Sequence, residues 1–365
     1  MKFCSECFCD TEIKPIIESI GAIGNCSVCG SNNVYLYDTD FNAELTELFE
    51  DLINIYTPVS LLPECYPKSE IALLKDELIN RWNIFNNLSA GKVYSILTAI
   101  CAEKYDEKPE LFDNPVGISE LYDREYILSH SLLKGNSWNE FTENLKTVNR
   151  FHTNYINLDI LEKFCSYIRK SYEKGTIFYR GRISPEEGYS CDQMDAPPNC
   201  YATAGRANCD GIRCLYLAGD IKTTIHEVRS RAFDFVTIGR FELLQNIIVV
   251  NLKGIDKISP FVVDLDILEL AINKEHLNKI NQEMGKALRR NDSSLDYIPT
   301  QYISDFIKSL KIDEDYGGKY IGIEYNSTMN KKGYNLAIYY PEYFKCINTE
   351  LYSITNLKYD TLPEL

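Results

Sequence analysis

The chain has 365 residues, enough for two or three domains at roughly 150 residues each, and its 45% hydrophobic and 12% aromatic content excludes a disordered chain. With 38 Lys and Arg against 53 Asp and Glu, the net charge of −15 repels a phosphate backbone, so nucleic acid is disfavoured as a partner. MKFCSECFCD carries no apolar segment behind its lysine, no later run reaches the roughly 18 apolar residues of a membrane span, and thirteen Cys is an odd number thinly spread; these point to a folded, non-membrane, cytoplasmic protein with free or metal-bound thiols.

In chain order, the first element is a cysteine module over residues 1–40. Cys4-x2-Cys7 and Cys26-x2-Cys29 have the spacing of a four-thiolate zinc ribbon, in which two tight knuckles bring four sulfurs to tetrahedral geometry. The expected zinc is structural, because a catalytic zinc keeps an open position and usually takes His or carboxylate ligands, and none is nearby. Cys9 is a spare thiol that could replace Cys7. With few apolar residues of its own, the segment is expected to draw its folding free energy from the metal.

Residues 41–174 read as a helical domain. Leu45, Leu48, Phe49, Leu52, Ile53 and Tyr56 form one apolar stripe, stopped by Pro58. Helical patterns continue from about Glu70 to Glu103, and the charged, Pro-containing stretch from Lys104 to Val116 reads as a surface loop. A further helix with Leu161, Phe164, Ile168 and Tyr172 on one face ends at Gly175, a residue suited to a left-handed helix terminus.

The texture then turns β-rich, which places a boundary near residue 175 and a last domain over 175–365. Strands are expected in TIFYRGRI, CLYLAG, DFVTIGRFEL and NIIVVNLKG, with a short helix after Asp220. The Pro-containing segment from Ser184 to Tyr201 reads as a flap. Helices near His276–Arg290 and Pro299–Leu310 precede the strands KYIGIEYN and NLAIYY.

Four segments of this last domain carry chemistry. Arg180 and Arg182 alternate on one strand face, a cation pair suited to phosphate or carboxylate. Gly205 and Arg206 make a turn whose backbone N–H groups can approach an anion. Asp220 is a candidate N-cap for IKTTIHEVR, which puts Glu227 in the second helical turn with Ile225 and Val228 facing the core. His226, one step away, points elsewhere. Ser327 ends the strand GIEYNST.

The order FYRGR, GRAN, LYLAGD followed by TTIHEV, then GIEYNST before GYNLAIYY, resembles the RES-domain family over about Thr176 to Tyr340. A zinc module followed by helices is similar to the extension on some longer members. The resemblance implies an α+β protein in which the N-terminal zinc ribbon and helical region precede a mixed α/β domain similar in fold to ADP-ribosyltransferases. It implies NAD+ as substrate, consumed by hydrolysis, phosphorolysis or ADP-ribosyl transfer, and often a toxin or anti-phage role held in check by an antitoxin or regulatory protein. By position it carries the family's arginine, glutamate and serine onto Arg180, Glu227 and Ser327, with Arg182, Arg206 and Tyr216 at the nucleotide. Ala207, Cys209 and Ile321 depart from the family pattern. Homo-oligomerisation is left open.

A competing reading takes Arg124 and His130, in REYILSH, as an Arg-to-His spacing like that of HEPN-type RNases. A third takes the last domain as an inactive binding scaffold, against which Arg180, Glu227 and Ser327 count.

Overall fold

The computed structural model describes residues 1–286, 293–313 and 317–356. Its cysteine segment forms a three-stranded antiparallel sheet, in the order β1 (Lys2–Cys4), β3 (Val34–Asp38), β2 (Ile23–Gly24), with α1 (Ile13–Ile20) beside it. Phe3, Phe8, Ile13, Ile17 and Tyr37 are buried, and the Phe3 ring stacks on Tyr37 at 5.1 Å. This corrects the expectation of a segment without a core: aromatic residues interleaved with the cysteines give it one. Phe8 packs on Phe85 at 5.0 Å, and the Cys9 N–H donates to the Ile84 carbonyl. The segment is therefore part of a larger unit.

That unit comprises Met1–Gly135 and Asp256–Lys274. As the stripe predicts, α2 (Thr46–Asn54) buries Phe49, Leu52 and Ile53. There follow β4 (Thr57–Pro58), β5 (Ala72–Leu73), α3 (Leu74–Asn80), α4 (Ala90–Ile100), α5 (Ala102–Glu107), α6 (Glu110–Asp113), β6 (Pro115–Gly117) and α7 (Arg124–His130), with β6 pairing both β4 and β5. The expected loop from Lys104 to Val116 is instead ordered. Pro109 sits at the start of α6, where its missing N–H costs nothing, and Leu111, Phe112 and Val116 are buried. Phe261, from the distant second stretch, meets Phe49 at 5.1 Å.

The second unit comprises Asn136–Ile255 and Glu275–Leu365. It contains α8 (Trp138–Glu143), α9 (Leu158–Tyr167), β7 (Arg169–Tyr172), β8 (Ile177–Ser184), β9 (Leu215–Ala218), α10 (Ile221–Val228), β10 (Phe235–Leu243) and β11 (Ile247–Asn251). Next come α11 (Ile267–Gly285), which the two units share, α12 (Ile298–Ser309), β12 (Gly322–Asn326), β13 (Tyr334–Ile338) and β14 (Phe344–Ser353). Its eight-stranded sheet runs β14-β10-β8-β9-β13-β12-β11-β7, antiparallel except at β11–β12.

Four expectations shift here. α9 ends at Tyr167 and the chain turns at once into β7, where Tyr172 pairs with Ile247. Gly175 is left-handed but lies in the turn between β7 and β8, so the unit starts at Asn136, upstream of the change in texture at 175. The flap sends Met194 and Ala196 into the core. α11 begins at Ile267, earlier than expected, and residues 287–290 of that expectation lie outside the described residues.

Strand alternation gives the sheet two uses. Phe178, Leu215, Leu217, Phe241, Val249, Leu336 and Ile338 build one core, whereas Val236 and Ile238 pack with Ile221, Ile225 and Val228 of α10. On β12, Glu324 is fully buried and accepts from Lys170 Nζ at 2.9 Å, Lys253 Nζ at 3.3 Å and Tyr172 Oη at 2.7 Å. A hydrogen bond to a buried carboxylate contributes about 1.5–3 kcal/mol. Tyr172→Phe should accordingly lower the urea midpoint of this unit, and an unchanged midpoint would show that the lysines alone satisfy Glu324.

Candidate functional site

The second unit holds a cleft of about 260 Å³ lined by residues that include Tyr179, Arg180, Arg206, Tyr216, Glu227 and Asn335. Helix α10 brings in Glu227. Asp220 caps it as predicted, accepting from the Thr223 N–H at 2.8 Å and the Thr223 hydroxyl at 2.7 Å. The helix ends at Val228, where Arg229 is left-handed, and His226 is exposed, facing away from Glu227 as the sequence implies.

Gly181 explains how α10 comes so close to β8. A Cβ there would lie 2.5 Å from Val228 Cγ2 and 2.9 Å from Thr224 Cγ2. Overpacking of this kind costs about 1–3 kcal/mol. Gly181→Ala is expected to lower the melting temperature and to push Glu227 out of register. Adding Val228→Ala should recover both; a double variant no better than the single one would refute this packing account.

The Glu227 carboxylate receives the Ser327 hydroxyl on Oε1 at 2.6 Å and Asn335 Nδ2 on the same oxygen at 2.8 Å. Ser327 is buried, and its Oγ accepts from the Asn330 N–H at 3.1 Å. It therefore stands behind Glu227, with its proton committed to the carboxylate.

Two arginines line the same cleft as this carboxylate. Burial, then the neighbouring Arg182, pull Arg180 down to about 10, which leaves it cationic at neutral pH. Among the described residues, its Nη1 and the Nε of Arg206 are buried without hydrogen-bond partners. Donors left in this state call for an acceptor. Arg206 is held by a rigid turn: Tyr216 Oη donates to Asn208 Oδ1 at 2.7 Å and accepts from the Ala207 N–H at 3.0 Å. Gln301 donates to the carbonyls of Gly205 and Asn208, and Ser304 to that of Ala207. Ala207 is buried in this turn. Burial holds the Tyr216 and Tyr325 phenols well above their usual range, with Arg206 beside each pulling the other way.

Arg180, Arg206, Tyr216 and Glu227 are thus brought together, with Ser327 in contact with Glu227. Arg182 is elsewhere: exposed, it donates to the Gln193 carbonyl of the flap and stacks over Tyr189 at 4.9 Å. Tyr179, Tyr325 and Asn335 are cleft residues that the sequence reading did not single out. Asn335 carried a signal, being a polar residue inside the apolar strand NLAI, where burial demands a hydrogen-bond partner.

In the first unit, the sulfurs of Cys4, Cys7, Cys26 and Cys29 lie within 4.8 Å of one another and could hold a metal ion. Cys4–Cys29, Cys7–Cys26 and Cys4–Cys7 are 3.4, 3.6 and 3.8 Å apart. Four thiolates about 2.3 Å from one tetrahedral ion would be separated by about 3.8 Å, so the donor set fits. Burial and the adjacent thiols push Cys4 up to about 12 and Cys7 further the same way. Cys29 is resisted by burial but drawn down to about 6 by hydrogen bonds, first from Ser31. Cys9 lies outside the cluster, its thiol on the Asn83 carbonyl.

Arg124 and His130 mark the two ends of α7, and six residues at 100° each set them on different faces. His130 stacks on Tyr126 at 3.9 Å and its Nδ1 lies 2.8 Å from Ser129 Oγ. They do not converge on a common site. No helix among the described residues is long and apolar enough to cross a membrane.

A family model described as the RES domain matches residues 181–360. The match begins directly after Arg180 and includes Arg206, Tyr216, Glu227, Ser327 and Asn335. No curated protein and no solved structure matches the chain.

Proposed function

We propose that this chain, which matches the RES-domain model over residues 181–360, uses NAD+ and cleaves the bond between its nicotinamide and ribose. The observation that supports this reading is one carboxylate, Glu227, anchored through a single oxygen in a cleft with two arginines, each of which has one buried nitrogen without an acceptor among the described residues. The cleft is smaller than the roughly 300–1,000 Å³ of sites that enclose a whole ligand, which suits one half of a dinucleotide.

Cleavage leaves a ribose with oxocarbenium character, as in glycoside hydrolysis. Glu227 opposes that charge, and the walls around it strengthen the effect by excluding water. Arg180 and Arg206 take the pyrophosphate oxygens, a bidentate geometry to which guanidinium is matched. Nicotinamide leaves as a neutral ring from a cationic one, so no strong acid is required, consistent with the outward His226. Ser327 orients Glu227. A zinc ion held by Cys4, Cys7, Cys26 and Cys29 is structural, because four thiolates complete its coordination.

The test is nicotinamide release from NAD+ by purified full-length protein, read by mass spectrometry with and without phosphate. The mass of the second product names the acceptor as water, phosphate or a protein side chain. An NAD+ pool left intact by folded, zinc-loaded protein under both conditions would count against the proposal.

A further inference from the structure

Glu227 is held asymmetrically. Both hydrogen bonds it receives end on Oε1, and among the described residues none reaches Oε2. A carboxylate rotates readily about its terminal torsion. Two donors converging on one oxygen stop that rotation. One donor is Ser327, from the turn after β12. The other is Asn335, 6% exposed within β13, opposite Tyr325 in the ladder and on the wall of the cleft. The hydrogen bond from its side chain goes to Glu227.

We propose that Asn335 is a positioning residue: with Ser327 it saturates Oε1 and so presents Oε2 as the oxygen that meets the ribose. This rests on the reading of Glu227 as the carboxylate that opposes the ribosyl cation. Its consequence is a separation of roles. The arginines hold the nucleotide and set KM, whereas Asn335 acts through Glu227 and sets kcat.

The charged and titratable groups that line the cleft with Glu227 are Tyr179 and Arg180 on β8, Arg206 in its turn, Tyr216 on β9 and Tyr325 on β12. Against that constant background, Asn335→Leu removes the donor at similar size, and Asn335→Asp also adds a like charge. Both changes favour the protonated carboxyl, so both raise its titration midpoint, Asp by about one unit or more.

The experiment is a 13C NMR titration of full-length protein labelled at the Glu carboxyl carbon, with the Glu227 signal identified by its loss in Glu227→Gln. Alongside it, NAD+ cleavage is followed against pH. The expected result is a raised Glu227 midpoint in both variants and a kcat at least about tenfold lower in Asn335→Leu, with KM within about twofold of wild type. The acid limb of kcat should move upward with the midpoint. If Asn335→Leu does not fold, Asn335→Ser removes the contact with less disturbance. A Glu227 midpoint unmoved in folded variants overturns the proposal, as does a change in KM alone, which would make Asn335 a substrate contact. Wild-type protein that leaves NAD+ intact defeats the reading of the cleft, while the titration still decides whether Asn335 governs this carboxylate.

Discussion

Glu227→Gln is expected to lower NAD+ cleavage at least about 10²-fold in a protein that melts like wild type. The substitution keeps the shape of the side chain and removes its charge. Ser327 and Asn335 can both still donate to the amide oxygen, so the group stays where α10 puts it. What then faces the ribose is an amide NH2, a donor with partial positive charge, where a carboxylate oxygen stood. The loss therefore falls on the step in which positive charge develops, and KM for NAD+ should change little, because Arg180 and Arg206 are untouched. Mass spectrometry of remaining NAD+ and released nicotinamide reads both parameters. Undiminished turnover in folded Glu227→Gln would move the chemistry away from α10 altogether.

Arg180 makes a useful contrast. Its Nη1, unpartnered among the described residues, and its lowered pKa mark a cation held ready in a partly desolvated place, so on the proposed reading its removal should raise KM with little change in kcat. The two residues thus act at different points of the reaction, one on charge already present in the substrate and one on charge that appears only as the bond breaks.

The parts of this site legible in the sequence were those fixed by local rules. Asp220 announced a helix start, and the capped helix then placed Glu227, Ile225 and Val228 by the 3.6-residue period alone. Where neighbours decide, local rules gave less. Alternation set Arg180 and Arg182 on one strand face, yet the flap carbonyl of Gln193 and the ring of Tyr189 take Arg182 out of the cleft. Ser327 was legible only as the end of its strand, because its partner Glu227 lies a hundred residues away. The same holds for the sheet. The strands β8 to β13 were visible as apolar runs, whereas β7 was read as helix and β14 was not foreseen; and the order β14-β10-β8-β9-β13 depends on pairings such as Gly239 with Arg180 and Thr349, which no window of sequence contains. The return of residues 256–274 to the first unit was hidden for the same reason, since Phe261 shows its partner Phe49 only in space.

Removing the metal should have the second large effect, and the architecture of β1–β3 limits how far it spreads. Four sulfurs at 3.4–3.8 Å have too little room to ionise together without a cation between them. Chelation, or Cys26→Ser, is expected to release about one zinc per chain and to destabilise residues 1–40 by several kcal/mol, below the roughly 10–16 kcal/mol of zinc-finger peptides that fold on metal alone. The difference comes from Phe3, Phe8 and Tyr37, which give the segment an aromatic core of its own. Because the ligands must be thiolates, zinc should be released as pH falls, in step with protonation of the cluster, and retained as it rises. Zinc content by mass spectrometry, with hydrogen exchange of residues 2–38 in the same samples, checks both halves. Cys65→Ser, at an exposed thiol outside the cluster, is the control and should change neither. Full retention of exchange protection after zinc loss would mean that the aromatic residues alone hold the segment, and an as-purified protein free of zinc would remove the metal from the account.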